Sequence, residues 1–393
     1  MVIDFYKEAQ ALFDYTVTLR RDFHKHPELG FQEFRTAGIV AEELNKLDIE
    51  VTTGVAETGV VGIIEGGKPG PVVLLRFDMD ALPILEETGA EYTSSNEGVM
   101  HACGHDGHTA VGLTVAKMLH KHRADLAGTV KLVFQPAEEV IGGAERMVAA
   151  GVLQDPKPDY TLAMHLWNTM DLGIIGVTPG PAMAGALSML IRVHGVGAHG
   201  AHPDLGVDPI AASAQIISAA QSIVSRNVSP LDTAVMSITA INGGTAYNVI
   251  PPTVEMKGTI RYYREEVREL AVRRLEEIVQ GVATAMGCTA EIIYQDSCPA
   301  VVNDVELSTR VQGLVNKVLP DADLRTEERT MGAEDMSFMM ADIPGVYMFV
   351  GSKNEAKDLK YGHHHPKFDF DEQAMAQGAA LVAAAAADFL VAE

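Results

Sequence analysis

Residues 72–80 read Val72-Val73-Leu74-Leu75-Arg76-Phe77-Asp78-Met79-Asp80. The first six form a largely apolar run of strand length, and the run stops on two carboxylates. The same grammar recurs downstream. Strand-like 129–134 leads into Gln135-Pro136-Ala137-Glu138-Glu139, and strand-like 160–164 ends at His165. In open parallel sheets ligands bind beyond the carboxyl ends of the strands. Three such ends carrying Asp, Glu and His are therefore expected to face one crevice.

Around these segments, helical patterns cover 4–26 and 33–47, and a further apolar run covers 60–64. A helix after Thr109 and another near 144–150 keep the alternation, which implies an α/β layer structure with a mostly parallel sheet. The pattern then changes. Strand 187–193, helix 209–226, strands 234–241 and 254–261, helix 265–286 and strand 289–294 follow in the order βαββαβ, a split βαβ unit. After Pro299 the α/β character returns with helix 305–318, strand 346–350 and a long helix from Asp371. A domain over 186–296 is thus expected to be inserted into one made of 1–185 and 297–393. A chain of 393 residues is also too long for one ordinary core.

Thirty basic against 53 acidic residues give a net charge of −23. Such a surface repels phosphate backbones and anionic lipid, so neither nucleic acid nor membrane is an expected partner. An anionic substrate needs a local Arg or metal to reverse the field. No export signal is read at the start, and the alanine-rich 379–387 falls well short of the roughly 20 residues that span a bilayer; it reads as a buried helix. Cys103, Cys288 and Cys298 are too few for a disulfide framework and suggest a reducing cytoplasm. Cys288 and Cys298 read as buried packing. Cys103 stands between histidines.

That setting is His101-Ala102-Cys103-Gly104-His105-Asp106-Gly107-His108. Cys-x-His spacing in a glycine-containing loop lets thiolate and imidazole face one metal. Alone, the tract also fits a helix N-terminus capped by Asp106 with its histidines in solvent. Glu139, His165 and the late run His363-His364-His365-Pro366 favour the metal reading. The late run is internal, 28 residues from the last residue, so it is not a tag, although two of its three rings fit an idle loop. Glu138 and Glu139 would point to opposite faces of a continuing strand. In a turn after Pro136, one can bind metal while the other holds a water and moves its proton, the division of labour amide hydrolysis needs. A solvated acidic loop is the plainer alternative.

RDFHKHPELGFQE (21–33), FDMDALP (77–83), HACGHDGHTA (101–110), FQPAEE (134–139), GAHGAHPDLGVDPI (197–210), GGTAYNVIPPTVEMKGTIR (243–261), GAEDMSFM (332–339) and HHHP (363–366) follow in this order. Together they resemble the M20 metallopeptidase family, in its hippurate hydrolase, auxin-conjugate hydrolase and N-acyl-amino-acid amidohydrolase branch. The resemblance spans nearly the whole chain. It implies a zinc-peptidase-like catalytic domain and a ferredoxin-like lid that often dimerises, giving a homodimer or higher homo-oligomer. It also implies that Cys103, His105, Glu139, His165 and His364 hold two divalent ions, that Glu138 is the general acid/base, and that Asp80 orients a metal-binding imidazole. In the lid, His199 is similar to the imidazole that stabilises the oxyanion, in its own or a partner subunit's site. Asn248 and Arg261 match positions around the substrate carboxylate, although Arg261 also fits a surface ion pair. Two positions depart from the branch: Asp204 stands where His is usual, and His365 where Asn or Ser is more common.

The resulting expectation is hydrolysis of N-acyl-amino acids, hippurate-like or N-acetyl, by a cytoplasmic enzyme. Zinc suits the thiolate, and Mn, Co or Ni are also compatible with the imidazole and carboxylate donors. Carboxypeptidase or dipeptidase action on short peptides is an alternative. A further alternative is an inactive metal-binding dimerisation protein, against which Glu138 beside Glu139 weighs. A zinc deaminase is disfavoured because its signature includes H-x-E and P-C-x-x-C, and no C-x-x-C occurs here.

Overall fold

The computed structural model describes residues 3–140 and 142–390, except for the side chains of Asp296 and Ser297. The chain separates into two compact units. The larger comprises Met1–Ala182, Val302–Arg329 and Asp335–Glu393, and the smaller Met183–Val301 and Thr330–Glu334.

The larger unit is built on a sheet of β1 (Glu50–Val55), β2 (Gly59–Glu65), β3 (Lys68–Asp78), β4 (Ala127–Gln135), β5 (Tyr160–Asp171), β6 (Ile174–Gly176), β7 (Asp323–Arg325) and β8 (Gly345–Lys353). Its spatial order is β1-β2-β4-β3-β5-β8-β6-β7. The central strands β4, β3, β5 and β8 run parallel, as interleaved helices require. The flanks join antiparallel, β2 on β4 and β6 on β8. Register sets the site. Asp78 pairs with Gln135, and Arg76 pairs with both Val133 and Ala163. His165, two residues past Ala163, therefore stands level with Asp78 and Gln135 on three adjacent strands.

Two expected boundaries move. Strand β5 does not stop at His165 but runs on to Asp171, because β8 keeps offering ladder partners, Phe349 to His165 and Lys353 to Asp171. The helix expected after Thr109 starts at His105, following Gly104 at φ +94°. It spans His105–Lys121 and is buried along most of its length. Gly112 lets it lie against the sheet, since a Cβ there would meet Phe77 and Phe134 at 2.7 Å. The pattern at 4–26 resolves into helices Phe5–Ala11 and Phe13–Lys25, interrupted at Leu12. The alanine-rich helix Gln373–Phe389 is buried as expected, with Ala379, Ala380, Ala383, Ala385 and Ala386 inaccessible to solvent. It packs on helices Phe5–Ala11 and His105–Lys121. Among the described residues, no helix is long and apolar enough to cross a membrane.

The smaller unit has strand Gly185–His194, helix Pro209–Ser222, strands Ala234–Asn242 and Thr253–Tyr262, helix Glu265–Ala285 and strand Thr289–Cys298. Thr253–Tyr262 and Gly185–His194 are the inner strands, flanked by Ala234–Asn242 and Thr289–Cys298, and every neighbouring pair is antiparallel. The long helix buries Val267, Ala271, Leu275, Val279 and Ala283, an i, i+4 stripe. They join a core with Ile191, Val193, Ile216 and Val254. The antiparallel pairing of Gly185–His194 with Thr253–Tyr262 is prolonged by a short ladder, Val249 opposite His199 and Ile250 opposite Ala198.

A candidate metal and catalytic site

The carboxyl ends of β3 and β4, the middle of β5 and the start of helix His105–Lys121 bring donors together. Ligand atoms of Cys103, His105 and His165 lie within 4.8 Å of one another, and so do those of Cys103, Glu139 and His364. The two triads share the Cys103 sulfur. A third triad joins His105, Glu138 and Glu139.

His105 and His165 are each aimed by what holds the other ring nitrogen. His105 Nδ1 donates to the Asp80 carbonyl at 2.9 Å, with the Asp80 carboxylate at 3.2 Å. Its Nε2 is buried without a hydrogen-bond partner. His165 Nδ1 donates to the Leu166 carbonyl at 2.8 Å, and its Nε2 stands 3.5 Å from Cys103 Sγ. His364 presents Nε2 to Glu139 Oε1 at 3.1 Å. All three therefore offer Nε2 to the cluster.

His108 contrasts with His105, one helical turn away. Its Nδ1 donates to Asp78 Oδ1 at 2.6 Å, and its Nε2 accepts from the Leu166 N–H at 2.9 Å. Both nitrogens are occupied, so His108, although close to Asp78 and His105, has no lone pair left for an ion. The late histidines sort the same way. His365 stacks on Tyr361 at 4.6 Å and accepts from the Lys367 N–H. His363 accepts from the Asn168 N–H and backs Cys103 with Nδ1 3.9 Å from Sγ. His364 alone of the three reaches Glu139. Its backbone adopts φ +65°, and its N–H bonds the Ala102 carbonyl.

Glu138 and Glu139 occupy the turn that follows β4. Ala137 takes φ +54°, a left-handed conformation costing about 1–2 kcal/mol for a residue with a Cβ. The turn breaks the strand's alternation, so both acids face the cluster. Asp80 ties the two halves together: its Oδ1 lies near His105 Nδ1, and its Oδ2 accepts the Glu139 N–H at 2.9 Å. Behind them Asp335 accepts from Gln135 Nε2 and the Ala144 N–H. Arg76 bridges Asp335 and Asp78.

The field in the cluster is mixed: carboxylates favour positive charge at Cys103 and His105, while imidazoles disfavour it at His165. Burial pushes the Cys103 thiol up, and Glu139, Glu138 and Asp78 push it further. Burial holds His165 well below the ordinary imidazole value, and its neighbouring imidazoles add to this. Burial likewise lowers His363 to about 3. Burial would also neutralise Asp78, but His105, Arg76 and His108 hold its carboxyl well below the usual range. The Cys103 thiol, the His165 imidazole and the His105 Nε2, which has no hydrogen-bond partner among the described residues, are the donors a divalent cation selects by displacing their protons. The donor set fits two such ions.

The residues expected in the lid lie in the smaller unit. His199 and Asn248 are exposed, His199 in the short ladder that prolongs the strand pair and Asn248 immediately before it. His199 Nδ1 accepts the Ala201 N–H at 3.1 Å, which leaves Nε2–H as a donor. Arg261 sits at the other end of strand Thr253–Tyr262, with its NH1 buried and lacking a hydrogen-bond partner. From Thr253 to Arg261 the extended chain advances eight steps, roughly 26 Å at about 3.3 Å each. The smaller unit thus keeps His199 and Asn248 apart from Arg261. Asp204 lies in the exposed turn Pro203–Leu205.

Sequence reasoning did not single out Asp78, Arg76, His363 or Asp335 as supports. Asp78 lay inside a quoted motif, and a second carboxylate two residues before Asp80 was the available signal.

Residues 74–388 match Peptidase family M20/M25/M40. Thermostable carboxypeptidase 1 of Saccharolobus solfataricus is 39% identical over 386 residues, 97% of this chain and 97% of that protein. N-acetylcysteine deacetylase of Bacillus subtilis is 38% identical over 366 residues, 91% of this chain and 92% of that protein. The crystal structure of the Bacillus subtilis YXEP protein, a dinuclear metal-binding peptidase of the M20 family, matches with a TM-score of 0.85 at 35% identity, covering 97% of this chain and 99% of that one.

Proposed function

The chain belongs to peptidase family M20/M25/M40 and is a metal-dependent hydrolase of amide or peptide bonds, and we propose that its substrates are N-acyl-amino acids, hippurate-like or N-acetyl, cleaved to a carboxylic acid and an amino acid. The observation that carries this reading is the pair of donor triads sharing Cys103, with Glu138 against Glu139. In it, Cys103, His105, Glu139, His165 and His364 hold two divalent cations, with zinc the best match to a thiolate. Such ions supply Lewis acidity to the amide carbonyl and lower the pKa of water. Glu138 takes a proton from the attacking water and delivers it to the leaving nitrogen as the C–N bond breaks. Asp80 keeps His105 in the tautomer that offers Nε2.

His199 donates Nε2–H to the oxygen that becomes negative, and Asn248 and Arg261 recognise the substrate carboxylate. A small substrate cannot touch both ends of a strand that long. This supports a homodimer in which residues 186–296 act as the dimerising lid and His199 and Asn248 serve the partner subunit's site. A cytoplasmic location suits the free, metal-binding thiol.

The relationship to a carboxypeptidase keeps a second reading open, in which the acyl part is itself an amino acid. The test is amine release by the metal-reloaded protein from hippurate, N-acetyl-amino acids and dipeptides. Higher kcat/KM on the N-acyl series supports the proposal. Faster cleavage of dipeptides replaces it with the peptidase reading, and no release from any substrate at full metal content removes both.

A further inference from the structure

The turn carrying Glu138 and Glu139 is held from outside by a residue far away in sequence. Glu33 is inaccessible to solvent, although it lies in the loop before helix Phe34–Asn45. Its Oε1 accepts the Ala137 N–H at 2.9 Å, and its Oε2 accepts from Thr58 Oγ1 at 2.5 Å. Ala137 is the residue at φ +54°, immediately before the two acids, and it is itself fully buried. The same loop presses on the turn at a second point. A Cβ on Gly30 would come within 3.0 Å of Ala137 Cβ and 3.2 Å of Val140 Cγ2. It also reaches the end of β3, where the Ala81 N–H bonds the Glu28 carbonyl.

We propose that Glu33 is a positioning residue for the hydrolytic site: by accepting the Ala137 N–H, its carboxylate holds the strained turn in the one conformation that aims Glu138 and Glu139 at the donor cluster. Asp80 secures the far side of the turn through the Glu139 N–H, but no other hydrogen bond to the Ala137 N–H is present among the described residues. Without Glu33 that buried N–H has no acceptor, and a left-handed alanine tends to return to the favoured region. Both acids then swing together. The inference rests on the roles given above to Glu138 and Glu139.

The test compares Glu33→Ala and Glu33→Gln with wild type and with Glu138→Gln. It reads kcat and KM on an N-acyl-amino acid, thermal midpoint, and calorimetric titration of the apoproteins with zinc. Glu33→Ala is expected to lower kcat at least about tenfold with KM within about threefold, as misplacement of reacting groups does, and to weaken zinc binding about tenfold. Glu33→Gln keeps an oxygen for Ala137 and is expected to stay within about threefold of wild type in both readouts. If Glu33→Ala lowers only the thermal midpoint, Glu33 is merely structural and the inference falls. It falls equally if Glu33→Gln is as impaired as Glu33→Ala, because charge would then matter rather than the bond. Should Glu33→Ala fail to fold, Thr58→Val, which frees the second oxygen, takes its place: a lower kcat with weaker zinc binding supports the inference and wild-type values overturn it. Turnover lost in Glu138→Gln beside full turnover in Glu33→Ala sinks this inference alone, whereas turnover retained in Glu138→Gln takes the reading of Glu138 down with it.

Discussion

Around Cys103 nearly every donor is braced from behind: His105 by Asp80, His165 by the Leu166 carbonyl, Glu139 through its own N–H. In the short ladder of the smaller unit, His199 is exposed and its ring accepts, among the described residues, one bond from the Ala201 N–H. The difference follows from what each region must meet. Ions demand donors fixed to a few tenths of an ångström before they arrive. In the proposed reading, His199 meets its substrate only once another surface covers that exposed site. The first region is therefore self-sufficient, and the second is not.

The sharpest way to break this comparison is inside the braced region. Glu138→Gln is expected to lower kcat by about 10³-fold, within the range for losing a general acid/base, while elemental analysis still finds two metal equivalents. Turnover near wild type would remove Glu138 from the chemistry.

The incomplete region has its own test. His199→Ala should cost about 10²–10³ in kcat, the scale for an oxyanion donor. Co-expressed with Glu138→Gln chains, it should regain about a quarter of wild-type activity, because a symmetric mixed dimer holds one site with an intact Glu138 and a partner's intact His199. A mixture as silent as either parent would place His199 in its own subunit's site.

A smaller effect separates bracing from ligation. Asp80→Asn keeps all proposed ligands but spoils the carboxylate behind His105, and should weaken metal binding about 10–100-fold. His108→Gln alters a ring of the same tract whose nitrogens are both spent within the protein, so metal stoichiometry should be unchanged. Loss of one ion in His108→Gln would show that its hydrogen bonds give way to coordination.

The ends of β3 and β4 were legible because apolar runs stopping on Asp or just before Glu are visible without coordinates, and His165 was legible although β5 runs on past it to Asp171. The βαββαβ order of the smaller unit was visible because its strands and helices are long enough to show their periods. Strands β6 and β7 have three residues each, too few to reveal an alternation. The start of helix His105–Lys121 was hidden for a related reason, since His-Asp-Gly-His carries no apolar stripe and its burial comes from neighbours. Cys-x-His spacing points to His105 and the family resemblance to His364, but the letters do not show why His108 and His363 are spent elsewhere. That depends on which nitrogens are already engaged, by Asp78 and the Leu166 N–H for His108 and by the Asn168 N–H, 195 residues away, for His363. Glu33 was illegible in the same way, its acceptor role being directed to a main-chain amide 104 residues along.

Below the cluster, the bracing has a titratable component whose effect on turnover should be the smallest. His24 is buried between Asp106 Oδ2 at 2.9 Å and Glu86 Oε1 at 3.1 Å, and Arg20 grips the same Asp106 at 2.8 Å. Burial opposes charge on the ring, but the bonds to Asp106 and Glu86 outweigh it and raise His24 to about 9. A ring whose folded pKa lies above its unfolded value near 6.5 contributes fully below about pH 6.5 and loses its contribution as pH rises through about 9. The thermal midpoint should therefore fall by about 2–5 °C between pH 7 and 9.5, and His24→Gln should flatten that slope. Because Arg20 still holds Asp106, the first turn bearing His105 stays in place and kcat at pH 7 should change less than about threefold. An unchanged slope would show that the charge on His24 does not contribute, and that Arg20 alone supports this end of the helix.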